Sequence, residues 1–239
     1  MSSQRIIWIT GASSGIGRST AEVFIHHGDA VVGSARRIGM LEELQREVSS
    51  ASGTCRVCPC DVGDETQVVR VGETILKEFG RIDFLVNCAG VTYFRDFTKT
   101  TTQEFDEVLR TNLRGLFLTT KTVLPTMLGR GAGVVMNILS YAGRATYTGS
   151  SAYSAAKAGA EAMMNVLRAE TRDKGIKIVN IFPGAVLTPI WHPKHQERYG
   201  HRMMKPAEIA KVVYDISLQP TSMMIEDIVI RPQLGDLRV

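Results

Sequence analysis

Tyr153 and Lys157 stand four residues apart in SSAYSAAKAGAEAMM, residues 150–164, among small side chains that tolerate a helix. Residues four apart share one helix face, so a phenol and an ammonium there can be held over a common target. The chemistry this suits is proton transfer. Hydride addition to a ketone builds negative charge on the carbonyl oxygen, which needs one group to protonate it and a second hydrogen bond to fix its direction. A free tyrosine has a pKa of about 10, and burial raises it. An ammonium about 5 Å away at an effective dielectric of about 20 offsets this by roughly 3 kcal/mol, near two and a half pKa units. The spacing alone is weak, because Tyr-x-x-x-Lys also occurs on ordinary helix faces with a solvated lysine.

The elements that would position such a pair are legible in the apolar pattern. Short apolar runs at 5–10, 30–35, 54–58, 82–87, 133–138, 176–182 and 225–230 predict strands. Helical patterns fall between them at about 15–28, 38–50, 64–79, 102–129, 152–174 and 206–218. Repeated β-α order predicts an α/β fold with a parallel sheet covered on both faces, and 239 residues suffice for one domain spanning 1–239. The exception is 184–205, GAVLTPIWHPKHQERYGHRMMK, long and irregular, a form usual for functional loops.

TGASSGIG, Thr10 to Gly17, follows the first strand and opens the first helix. Glycines at 11, 15 and 17 let backbone approach a pyrophosphate, and the helix N-terminus supplies amide donors, so Gly11, Ser13, Ser14, Gly15, Ile16 and Gly17 are candidate cofactor ligands. With this turn the fold reads as a Rossmann-type doubly wound sheet of about seven strands. An NAD site wants a carboxylate near the end of the second strand, an NADP site cations. VVGSARRIGM has no acid between Asp29 and Glu42, and Ala35 is followed by Arg36 and Arg37. NADP is therefore expected over NAD, with Arg36 first and Arg37 in reserve for the 2′-phosphate. The plainer alternative is two exposed arginines leading a helix.

Composition excludes other classes. A net charge of +4 is mild, and much of it sits in 191–205, where Lys194, Arg198, Arg202 and Lys205 face one acid, Glu197. That is a local patch, not a nucleic-acid stripe. The N-terminal apolar run is too short for a signal or a membrane span, so a cytoplasmic protein with no membrane partner is expected. Cys55, Cys58, Cys60 and Cys88 suggest zinc only superficially: an odd offset sends Cys55 and Cys58 to opposite strand faces, and Cys88 ends a later strand on the far side of the first. No metal is expected.

Seven motifs in order carry a resemblance across nearly the whole chain: the glycine turn at 10–17, Asp61-Val62, NCAG at 87–90, Asn112, Ser140, Tyr153 with Lys157, and PGAVLT at 183–188. The sequence resembles the short-chain dehydrogenase/reductase family. That resemblance implies a catalytic set of Asn112, Ser140, Tyr153 and Lys157, with Ser140 thirteen residues before Tyr153 as the second hydrogen-bond donor. It further implies that Lys157 holds the nicotinamide ribose and that Asn112 positions a water. Asp61 and Val62 would flank the adenine, Asn87, Ala89 and Gly90 the adenosine side, and Pro183, Gly184, Val186 and Thr188 the nicotinamide. Cys88 departs from the family's usual second asparagine, which predicts a slightly altered backbone anchor. Taken singly, Ser140 is a strand end and Asn112 fits a helix irregularity. The family further implies a homodimer or homotetramer paired through helices 102–129 and 152–174.

Substrate choice falls to VTYFRDF at 91–97, YAGRATYTG at 141–149 and the 184–205 segment. Tyr93, Phe94, Tyr147, Trp191 and Tyr199 suit a flat or ring-containing small-molecule carbonyl, with Arg144 or His192 for polar groups, although some of these rings can equally pack the loops. Tyr93, Ser140, Tyr147 and Trp191 are the expected substrate contacts. PGAVLTPIW and the tail IEDIVIRPQLGDL also resemble sepiapterin reductase-like members, which suggests a pterin side-chain ketone. A 3-oxoacyl or 3-hydroxy acid is the rival substrate, and a non-catalytic NADP-sensing or scaffold protein the rival class.

Overall fold

Alternation along the first strand divides the molecule. Ile6 and Trp8 enter one hydrophobic cluster and Ile7 and Ile9 the other, because side chains point to opposite faces in turn. The computed structural model describes residues 4–237, so the ends of the span 1–239 lie outside the described residues. Seven strands, β1 (Ile6–Thr10), β2 (Ala30–Ala35), β3 (Thr54–Pro59), β4 (Phe84–Asn87), β5 (Gly133–Ile138), β6 (Ile176–Pro183) and β7 (Asp227–Ile230), form one parallel sheet in the order β3-β2-β1-β4-β5-β6-β7. Helices α1 (Gly15–His26), α2 (Ile38–Glu47) and α8 (Pro206–Ser217) supply Phe24, Leu41, Leu44 and Val213 to one face. Helices α3 (Glu65–Phe79), α5 (Gly115–Arg130) and α6 (Ser151–Thr171) supply Val68, Ile75, Met127 and Met164 to the other. Each such fully buried side chain is worth about 1.5–3 kcal/mol relative to exposure. Direction of winding reverses between β1 and β4, which opens a crevice at the carboxyl ends of the strands.

Three differences from the sequence reading bear on that crevice. The helix expected over 102–129 is α4 (Thr102–Leu109), a π-helical turn (Arg110–Arg114) and α5, and Asn112 lies in the turn. The irregular segment contains a short helix, α7 (Pro193–Tyr199), with proline in its first turn and His192 accepting from the Lys194 amide. β4 and β7 begin two residues later than the apolar runs suggested. Cys55 and Cys58 do join opposite clusters, and no group of metal-ligating side chains occurs among the described residues. No described helix is long and apolar enough to cross a membrane.

A polar seam crosses the core. Asn87, Asn137 and Asn180 occupy matching register positions on β4, β5 and β6, and Asn180 pairs in register with Asp227 of β7. Thr119 donates to Asn87 Oδ1 at 2.6 Å, Asn87 to Asn137 at 3.0 Å, and Asn137 to Asn180 at 3.0 Å. Asn180 donates to Asn165 at 3.1 Å, while Arg168 donates to Asp227 at 2.9 Å. Such buried amides are tolerated because each finds a partner. They also fix strand register directly beneath the crevice.

Candidate active site

The crevice is a cleft of about 530 Å³. At its floor lies the glycine turn, with Gly11, Ser13, Ser14, Gly15 and Ile16 lining the cleft. Gly11 has φ +69°, and a Cβ there would lie 2.9 Å from the Ala89 backbone; a Cβ on Gly17 would lie 2.5 Å from the Gly11 carbonyl. The first turn of α1 has no side-chain cap and no acid, so its amides are available to an anion. Thr10 Oγ1 accepts from the amides of Cys88 and Ala89 at 3.0 and 3.1 Å, tying the NCAG segment to β1. Cys88 enters this anchor through its backbone amide, and burial pushes its thiol up to about 12.

One end of the cleft is lined by Arg36, Arg37, Asp61 and Val62. Arg37 donates to Ser14 Oγ at 2.7 Å and Ser13 Oγ at 3.1 Å, which joins it to the glycine turn. Arg36, first in the sequence reading, lies instead 3.6 Å from Glu107. Burial lifts the Asp61 carboxyl, but hydrogen bonds from Arg110 and the Gly63 amide outweigh it and leave the group below its ordinary value.

At the other end, Ser140, Tyr153 and Lys157 meet on one wall. Ser140 follows β5, and its Oγ accepts from the Ala142 amide at 3.1 Å. Lys157 is 5% exposed; its Nζ donates to the Ile138 carbonyl at 2.8 Å and stands 5.6 Å from the Tyr153 ring centre. One donor is spent on that carbonyl and two remain. Burial pushes the Tyr153 phenol up to about 12 despite the lowering influence of the nearby Ser140 hydroxyl, and pushes Lys157 down to about 8. The expected lowering of the phenol by the lysine therefore does not appear in the protein alone, where desolvation of both groups wins.

Pro183, Gly184, Val186 and Thr188 line the same cleft beside Gly15 and Ile16. Over its mouth Trp191 stacks on Phe94, ring centres 5.1 Å apart and planes 21° from parallel. Tyr147 faces Asp236 of the C-terminal tail; burial and that carboxylate together raise its phenol.

A family model described as short chain dehydrogenase matches residues 5–199. The chain belongs to the short-chain dehydrogenase family. Sepiapterin reductase of Chlorobaculum tepidum is 33% identical over 242 residues, covering 98% of this chain and 99% of that protein. Among solved structures, an alcohol dehydrogenase from the archaeon Thermococcus sibiricus complexed with 5-hydroxy-NADP is similar with TM-score 0.89 and 26% identity, covering 99% of this chain and 100% of that one. A 3-ketoacyl-ACP reductase from Sinorhizobium meliloti gives TM-score 0.85 and 28% identity, covering 95% and 97%.

In this short-chain dehydrogenase three residues named from the motifs, Gly17, Asn87 and Asn112, do not line the cleft. Asn87 is 5% exposed and spends its amide on Thr119, Thr120 and Asn137, so its side chain is tied into the sheet. Asn112 is 1% exposed; its Oδ1 accepts from the Val91 amide and its Nδ2 donates to the Val91 carbonyl, both at 2.8 Å. It pins the loop after β4 from the π-helical turn. Arg144, offered for substrate polar groups, is turned to Glu161, Asp227 and the Phe182 ring. Tyr93 lines the cleft, but its hydroxyl donates to Glu107 at 2.6 Å, and that bond raises the phenol. Glu107 and Asp236 line the cleft and escaped the sequence reading. Glu107 looks like any acid on a helix; Asp236 sits in a tail whose path sequence does not reveal.

Proposed function

We propose that this chain is an NADP(H)-dependent enzyme that interconverts a small ring-containing carbonyl compound and its alcohol. The observation that carries the reading is that Ser140, Tyr153 and Lys157 line one wall of the cleft, with the Lys157 Nζ 5.6 Å from the Tyr153 ring centre. A bound nicotinamide would supply or accept the hydride. The glycine turn would take its pyrophosphate, because Gly11 and Gly15 line the cleft without side chains and the first turn of α1 offers uncapped amides. In reduction the Tyr153 hydroxyl delivers its proton to the carbonyl oxygen while Ser140 Oγ holds that oxygen in place. The phenolate left behind is a poor species in a dry pocket, and the two free donors of Lys157 are the groups that stabilise it and grip ribose hydroxyls. Asn112 serves this set by fixing Val91, and with it the position of a water that returns the proton. Arg37 with Ser13 and Ser14 forms a ready 2′-phosphate site, with Arg36 assisting.

Aromatic walls at Phe94, Trp191 and Tyr147 support a flat substrate, and the sepiapterin reductase relative supports a pterin side-chain ketone. A 3-oxoacyl substrate is the second reading, favoured by the exposed cations Lys194 and Arg198 on α7 and by the 3-ketoacyl-ACP reductase likeness. Exposed Phe105, Phe117 and Val166 on α4, α5 and α6 suit pairing with another copy of the chain. The test is NADPH consumption across sepiapterin, diketones, oxoacyl thioesters and 3-oxo acids, repeated with NADH. Turnover of ring-bearing ketones with NADPH supports the reading. A clear preference for NADH, or turnover confined to acyl thioesters, overturns the corresponding part.

A further inference from the structure

Arg36 and Arg37 leave β2 side by side and meet different partners. Arg37 donates to two neutral hydroxyl oxygens, Ser13 and Ser14, which give way readily to an anion. Arg36 faces a carboxylate: Glu107, carried on α4, stands 3.6 Å away. Glu107 does not hang free, because the Tyr93 hydroxyl donates to its other oxygen at 2.6 Å. All three side chains line the cleft. The neighbouring acid, Asp61, is already engaged by Arg110 at 2.9 Å. Glu107 is therefore the acid whose charge bears most directly on Arg36.

We propose that Glu107 is a specificity-determining residue at the adenosine end, where its carboxylate competes with the cofactor's 2′-phosphate for Arg36 and restrains the preference for the phosphorylated dinucleotide. This rests on the NADP(H) reading given above. A 2′-phosphate that recruits Arg36 must draw it away from Glu107 and then sit near that negative charge. A 2′-hydroxyl meets neither cost and is a group that a carboxylate accepts from. Tyr93, by holding Glu107, sets how closely the acid approaches. Because Arg36 is about half exposed (53%) and Glu107 29%, the competition is screened, and its size is roughly three- to fivefold in affinity at low salt.

The experiment is equilibrium binding of NADP+ and of NAD+ to the full chain as wild type, Glu107→Gln, Arg36→Met and the double variant. Glutamine keeps the length and an acceptor for Tyr93 at a partly exposed helix position. Glu107→Gln should tighten NADP+ roughly three- to fivefold at low salt and leave NAD+ no tighter. That gain should vanish when Arg36→Met is added and shrink in high salt. Equal tightening of both dinucleotides, no change for NADP+, or a gain that survives Arg36→Met would overturn the role of Glu107. A wild type that binds NADP+ no tighter than NAD+ would overturn the cofactor reading itself. An intact wild-type preference with an inert Glu107→Gln overturns only the present inference.

Discussion

The wall bearing Ser140, Tyr153 and Lys157 and the rim bearing Phe94, Trp191 and Tyr147 are parts of one cleft built on different principles. The wall rests on strand ends whose register is fixed by the Asn87–Asn137–Asn180 seam, and its lysine is tied to a strand carbonyl. The rim is made of loops and a seven-residue helix, and its Phe94 remains 42% exposed. Buried hydrogen-bonded groups hold geometry and tolerate little change; stacked loop aromatics can be exchanged without loss of the fold. Chemistry is thereby separated from selection.

That contrast can be broken by mutation. Lys157→Met should lower kcat/KM by about a thousandfold, through lost phenolate stabilisation and lost ribose contacts; a loss below tenfold would remove the wall's special standing. Arg37→Met should raise the KM for NADPH by roughly ten- to a hundredfold, as expected for loss of charged hydrogen bonds, and leave kcat nearly unchanged. At the rim, Trp191→Ala should raise the KM for the carbonyl by about tenfold with kcat within about threefold, on the scale of one aromatic contact. An equal fall in kcat would mean that the rim also sets the reacting geometry.

Two smaller effects sharpen the comparison. Asn180→Leu should cost roughly 1–3 kcal/mol in chemical denaturation by stranding its neighbours' polar groups, whereas Val229→Ala on the exposed side of edge strand β7 should stay within about 0.5 kcal/mol. The pH dependence of stability follows from Lys157. Burial holds it near 8, below the ordinary lysine value of 10.5, so the unfolded chain binds the proton more tightly. Wild-type stability should therefore rise relative to Lys157→Met as pH increases from about 8 to 10, and a flat difference would contradict the burial of a charged amine.

Strand order and the glycine turn are legible in sequence because both come from local periodicity and from a turn that only glycine fits. The π-helical turn is not, since RTNLR has the composition of an ordinary helix and the bulge is imposed by Asn112 reaching Val91. The asparagine seam was readable in principle: LVNCA, VMNIL and IVNIF each place one asparagine in an apolar strand, and a buried amide needs a partner. Arg144 shows the reverse case. Its place in a loop beside Ser140 suggested substrate contact, but Glu161 and Asp227, distant in sequence, claim the guanidinium. Pairings across long separations decide such residues, and spacing along the chain does not encode them.

In the proposed function Tyr153 delivers the proton on a wall that also holds NADPH. Single-turnover oxidation of bound NADPH by a ring-bearing ketone, compared between wild type and Tyr153→Phe, tests it most directly. NADPH affinity should stay within a few-fold of wild type and the rate should fall by about 10²–10⁴. Wild-type rates in Tyr153→Phe would contradict it.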